Sequence, residues 1–99
     1  MEYVVHGHDG SDEGALERRM RAREAHLAHT EAHRAQVLMA AATLNDAGQM
    51  NGSVMVVDFP TREALDTWLN QEPYVLQNVW QKIEIPPCKV GPAFKPTKA

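Results

Sequence analysis

Residues 16–34 read LERRMRAREAHLAHTEAHR, a run without glycine or proline in which Leu16, Met20, Leu27 and Thr30 recur at spacings of four, seven and three. Those spacings trace one face of an α-helix, and Arg23 falls inside the stripe. A guanidinium therefore sits where apolar side chains are expected. His26 follows it by one helical turn, so the two polar heads project close together at the edge of the buried face.

Working outward, residues 2–8 (EYVVHGH) are aromatic and β-branched at their start and are followed by Asp9-Gly10-Ser11-Asp12, which has the composition of a turn. This predicts a first strand, with Ser11 or Asp12 capping a helix that ends at about Arg34. Residues 37–44 are a short apolar run of strand length, and Asn45-Asp46-Ala47-Gly48 then turns the chain. In residues 53–59, Val54 and Val56 point to one face while Met55, Val57 and Phe59 point to the other, so both faces of this strand call for cover. Thr61 is placed to cap a second helix whose stripe is Ala64, Leu65, Trp68 and Leu69, ending before Pro73. Residues 79–90 predict a last strand, with Ile83 and Ile85 on one face, Trp80 on the other, and Pro86 and Pro87 at an edge or bulge.

The resulting order, βαββαβ, is the ferredoxin-like α+β arrangement: a four-stranded antiparallel sheet with both helices on one face. The bare face needs a partner, and a second copy of the chain is the simplest one, giving a homodimer. At 99 residues the chain is a single domain, residues 1–99, with its core in 2–90. A chain of this size buries roughly 65% of its unfolded surface. Residues 91–99 are a tail rich in proline and lysine, either a loose end or an arm laid on a neighbouring subunit.

With a net charge of −3, the chain lacks the basic excess that phosphate backbones demand, so nucleic acid is not an expected partner. No apolar run reaches the ~18 residues of a membrane span, and the amino terminus does not have the pattern of a signal peptide. Cys88 is the single cysteine and cannot form an internal disulfide, which fits a cytoplasmic location. No phosphate-binding glycine loop, nucleophile elbow or haem motif is present, so no cofactor is expected.

The candidate chemistry centres on Asp9, at the end of strand one, and His26, on the helix returning over it. A carboxylate beside an imidazole fixes its tautomer and lets it exchange protons near neutral pH. The plainer alternative makes Asp9 a turn residue and His26 a satisfied polar group. Arg23 can anchor an anionic ligand oxygen, or can be tied up in a salt bridge to Glu17 or Glu31. The five histidines raise the question of a metal, because His6 and His8 share a strand face and His26, His29 and His33 share a helical stripe. No cysteine cluster or histidine-glutamate helix motif accompanies them, which weighs against a native metal.

The segment ERRMRAREAHLA, with Arg23, His26 and Leu27 forming an Arg-x-x-His-Leu unit, closely resembles the helical motif of the YciI-like, or YCII-related, proteins. Asp9, Gly52-Ser53 and Pro73-Tyr74 fall in that family's order, so the resemblance covers roughly residues 2 to 90. It implies a dimeric α+β barrel with sheets face to face, a cleft between sheet and helices in each subunit, and a His-Asp couple in that cleft. It also implies ligand-orienting hydroxyls at Ser53 and Tyr74, each with a plainer alternative as strand start or core cap. His6 and His8 are expected to add polar character to the same pocket. The chain departs from the family pattern at Ala41-Ala42, where relatives commonly carry Gly-Pro, and at Glu72-Pro73, where they carry Asp-Pro. The family includes a dehydrochlorinase acting on a chlorinated hydroxyquinol, and related scaffolds include muconolactone-isomerase-like enzymes. The expectation is thus a cofactor-independent acid-base enzyme that eliminates HCl from a small hydroxylated aromatic. The alternatives are an isomerase or a non-catalytic dimeric ligand-binding module.

Overall fold

The computed structural model describes residues 1–95. Its elements run β1 (Glu2–Asp9), α1 (Ala15–Ala32), β2 (Val37–Leu44), β3 (Met50–Asp58), α2 (Arg62–Leu69), α3 (Pro73–Leu76), β4 (Trp80–Glu84) and β5 (Pro87–Cys88), with a 3-10 turn at Pro92–Phe94. The strands form an antiparallel sheet in the order β2-β3-β1-β4, and β5 pairs with the start of β1 through Glu2 and Tyr3. This is the ferredoxin-like α+β order that the alternation of elements predicts. Pro86 lies at the break between β4 and β5, where its carbonyl still accepts from Val4 N at 3.0 Å.

Strand alternation divides the sheet into two unlike faces. Tyr3 and Val5 on β1 and Met55 and Val57 on β3 point to the side where Ala22 of α1, Leu65 and Trp68 of α2 and Tyr74 of α3 complete a single core. Val4, His6, Val54 and Val56 point the other way and remain half-buried. Among the described residues no helix is long and apolar enough to cross a membrane. Residues 96–99 of the expected tail lie outside the described residues. Its described part turns back on the sheet, with Lys95 Nζ 3.1 Å from Glu2 Oε2.

Several local expectations are met by identifiable contacts. Strand β2 spans the expected residues. The Thr61 hydroxyl accepts from Ala64 N at 3.1 Å, capping α2. Others need correction. Helix α1 starts later than expected, after Gly14, which provides no side-chain cap. The Asp12 carboxylate instead accepts two bonds from Arg18, at 2.9 and 3.1 Å. The buried face of α1 is Ala15, Arg19, Ala22 and His26, while Met20 and Leu27 are 50% and 47% exposed. The helical period is as expected, but the buried face alternates alanines with two polar side chains in place of the large apolar residues. Trp80 also belongs to the core, together with Ile83 and Ile85, rather than facing away from them. A register irregularity between His8 and Asp9, where β1 meets β4, breaks the simple alternation. Gly7 makes room for the indole: a Cβ at that position would stand 2.4 Å from the Trp80 ring.

Candidate active site

The polar face of α1 lies over β1 and β3, and the groups buried there must be satisfied by one another. Arg19, 3% exposed, reaches the sheet and donates to both Asp9 oxygens, at 3.1 and 3.2 Å, and to the Ser53 hydroxyl at 2.9 Å. Trp80 Nε1 also donates to Ser53, at 3.3 Å. Ser53 is thus an acceptor shared by a cation and an indole, fixed within β3 rather than at the start of a strand. Burial raises the Asp9 carboxyl above its ordinary range, and the nearby Arg19 guanidinium opposes that rise.

Two turns further along α1, His26 Nδ1 donates to Glu72 Oε1 at 2.5 Å. Glu72 is fully buried between α2 and α3, and the same oxygen accepts from Tyr74 N at 3.2 Å, which caps the short helix behind it. The Tyr74 ring stacks on the imidazole, with centroids 3.8 Å apart and planes 7° from parallel. The Arg19 guanidinium carbon also lies 4.7 Å from the Tyr74 centroid. Burial pushes the Tyr74 hydroxyl above its usual value, against the pull of Arg19 and Arg23, so the phenol stays protonated near neutral pH.

These residues line a cavity of about 190 Å³ between α1 and the β2–β3 half of the sheet. Arg19, Arg23, His26, Ser53 and Tyr74 contribute its polar wall, and Leu27, Ala40, Ala41, Ala42, Met50 and Met55 its apolar one. The alanines of β2 therefore form part of the pocket. Neither salt bridge considered for Arg23 forms, because Glu17 pairs with Arg21 at 3.2 Å and Glu31 with Arg34 at 3.6 Å. Arg23 has no ion-pair partner among the described residues and faces the cavity.

Of the expected site residues, the structure brings Arg23, His26, Ser53 and Tyr74 to one cavity. Asp9 lies behind Arg19, and the direct Asp9–His26 bond is not among the contacts formed; Asp9 takes Arg19 and His26 takes Glu72. His6 and His8 do not line this cavity, because alternation along β1 puts them on the opposite face of the sheet from Val5 and Gly7. Arg19 and Glu72 are the functional candidates that the sequence alone did not single out. Glu72-Pro73 was legible as a departure from the family pattern, but a carboxylate one methylene longer at that position was not recognisable as the partner of a histidine 46 residues away.

Fold and cleft together define a small ferredoxin-like α+β protein with a histidine-centred pocket between helix and sheet. Residues 1–89 match the YCII-related domain, and the chain belongs to that family. It is 32% identical over 97 residues to the YciI proteins of Escherichia coli and Shigella flexneri, covering 90% of this chain and 97% of theirs. The fold is similar to that of a 5-chloro-2-hydroxyhydroquinone dehydrochlorinase, TftG, from Burkholderia phenoliruptrix, solved in complex with 2,5-dihydroxybenzoquinone. The TM-score is 0.81 at 21% identity, over 92% of this chain and 96% of that one. Protein Atu4242 of Agrobacterium tumefaciens is a more distant structural relative, with a TM-score of 0.54 at 13% identity over 93% of this chain and 95% of that one.

Proposed function

We propose that this chain is a cofactor-independent acid-base enzyme that eliminates HCl from a small chlorinated, hydroxylated aromatic. The observation that carries the reading is the buried His26–Glu72 pair, stacked on Tyr74 at a cavity that also receives two guanidinium groups. With Nδ1 donating to a carboxylate, Nε2 carries the lone pair of the neutral ring and can take a phenolic proton. Glu72 then stabilises the imidazolium, and the face of Tyr74 does the same through its π-electrons. Arg23, without an ion-pair partner among the described residues, suits a phenolate oxygen, and Arg19 adds positive potential from behind.

In this scheme His26 removes one hydroxyl proton, and the O–H electron pair moves into the ring as a carbonyl forms. The imidazolium returns a proton to the chlorine-bearing carbon, which becomes tetrahedral. Loss of a second hydroxyl proton sends an electron pair toward that carbon, and chloride leaves with the C–Cl bonding pair. A hydroxyquinone remains, the net loss is HCl, and no external oxidant is required. The compound bound to the Burkholderia enzyme, a dihydroxylated quinone, belongs to the same size and polarity class. A cavity of about 190 Å³ with one apolar wall accommodates a single substituted ring.

The test is chloride release from 5-chlorohydroxyquinol, corrected for spontaneous oxidation. Wild type should release chloride, and His26→Ala should lower turnover by roughly 10²-fold or more. Wild-type protein that binds the compound without releasing chloride would leave a ligand-binding module in place of the enzyme.

A further inference from the structure

The open face of the sheet carries a second cluster of donors that the cleft does not use. His6 and His8 are two residues apart on β1, so their side chains emerge on one face, and Glu84 of β4 is the cross-strand partner of His6. The two imidazole centroids stand 4.0 Å apart. His8 Nε2 is 2.7 Å from Glu84 Oε1, and one ligand atom from each of the three residues lies within 4.8 Å of the others. All three sit on paired strands rather than on loops, so the backbone holds them in register.

We propose that His6, His8 and Glu84 form a binding site for a divalent transition-metal ion of the zinc type. Two imidazoles and one carboxylate form a three-ligand set that such ions accept with an open position. Tetrahedral coordination at about 2.0–2.2 Å places donor atoms roughly 3.4 Å from one another, so the three side chains need only modest rotation to close on an ion. The ligand chemistry also selects the class of cation. Lys82 is the cross-strand partner of His8, so its positive charge stands on the same face. Calcium or magnesium, held by oxygen ligands and charge, gains little from a single carboxylate beside an ammonium group. A transition metal gains two nitrogen bonds that do not depend on net charge. The sequence weighed against a metal because no cysteine cluster or histidine-glutamate helix motif accompanies the histidines. Their carboxylate comes from a residue 76 positions beyond His8.

The site is separate from the cleft and independent of the reaction proposed there, because His6 and His8 project from the opposite face of β1. The measurement is calorimetric titration of the chelator-treated full-length protein with Zn²⁺ at pH 7.5, with bound metal counted after desalting. The expected result is one Zn²⁺ per chain. His8→Gln and Glu84→Gln should each weaken binding by about tenfold or more, since both side chains are partly exposed and their loss leaves the core untouched. His33→Gln controls for the other close histidine pair, His29 and His33, whose rings are 4.5 Å apart, and should leave the titration unchanged. Absence of wild-type binding, or binding that survives both His8→Gln and Glu84→Gln, would overturn the assignment. Loss of binding in His33→Gln would move the metal to the helix and overturn it equally.

Discussion

At the scale of single residues, the polar network under α1 gives each buried group a different task. Glu72 holds His26 by a short bond and also caps α3 through Tyr74 N, so its removal mixes chemistry with folding. Glu72→Gln separates the two, because the amide oxygen still accepts from Tyr74 N while the negative charge facing the imidazole is lost. If His26 is the base, this variant should lose roughly 10- to 10²-fold in chloride release while keeping its fold by circular dichroism. Unchanged turnover would remove Glu72 from the machinery. His29 makes a prediction of opposite sign about stability. Burial lowers its pKa below the ordinary 6.5, against the attraction of Glu72, so the folded protein binds fewer protons there than the unfolded chain as pH falls below that value. Stability from this group is present above 6.5 and is lost on acidification through the lowered folded value. Urea unfolding of wild type should therefore weaken as the pH drops from neutral toward 5, and His29→Asn should flatten that slope. An equally steep slope in the variant would assign it to other groups.

Among the elements, strand β3 and helix α2 were legible because their burial is apolar and hydropathy reports it directly, and β2 was legible as a short apolar run of strand length although only Val37 on it is buried. Helix α1 was legible as a helix but not in its phase. Met20 and Leu27 look like core residues and lie half-exposed, whereas Arg19 looks like a surface residue and is buried, and His26, expected at the edge of the buried face, lies inside it. Their burial is offset by partners on β1, β3 and α3 that are distant in sequence, so no local pattern announces it. The same limit explains the site: the residue types were recognisable, the pairing was not. Strand β4 was misread in a different way, because the irregularity opposite His8 and Asp9 turns Trp80 into the core beside Ile83. Gly7 is the element-level condition for that packing. Gly7→Ala puts a methyl 2.4 Å from the indole in a fully packed region, and the overpacking should cost about 1–3 kcal/mol by denaturant titration. A neutral substitution would show that Trp80 can move aside without losing its bond to Ser53.

For the whole molecule, the question is what covers the second face of the sheet. The inner face is closed by three helices, and Met55 and Val57 there are fully buried. Of the two faces considered for an interface, the open one therefore carries Val54 and Val56, beside Val4 on β1 and Met39 on β2, which is 44% exposed. A groove of about 530 Å³ next to Val56, lined by Leu38, Met39, Cys88, Lys89, Val90 and Phe94, extends this surface toward the carboxy-terminal segment. Phe94, 82% exposed, is costly to leave in water. A second copy of the chain, related by a twofold axis, can meet this surface with the same surface, and a stable interface needs about 800 Å² from each partner. Light scattering at micromolar concentration should give twice the chain mass of 11.1 kDa. Val56→Lys places a charge at the centre of the apolar strip, opposite its own copy or close to it, and should yield monomers that keep the His26–Glu72 pocket, since that pocket lies across the sheet. A monomeric wild type would sink the dimer. A dimeric Val56→Lys would move the interface off this face.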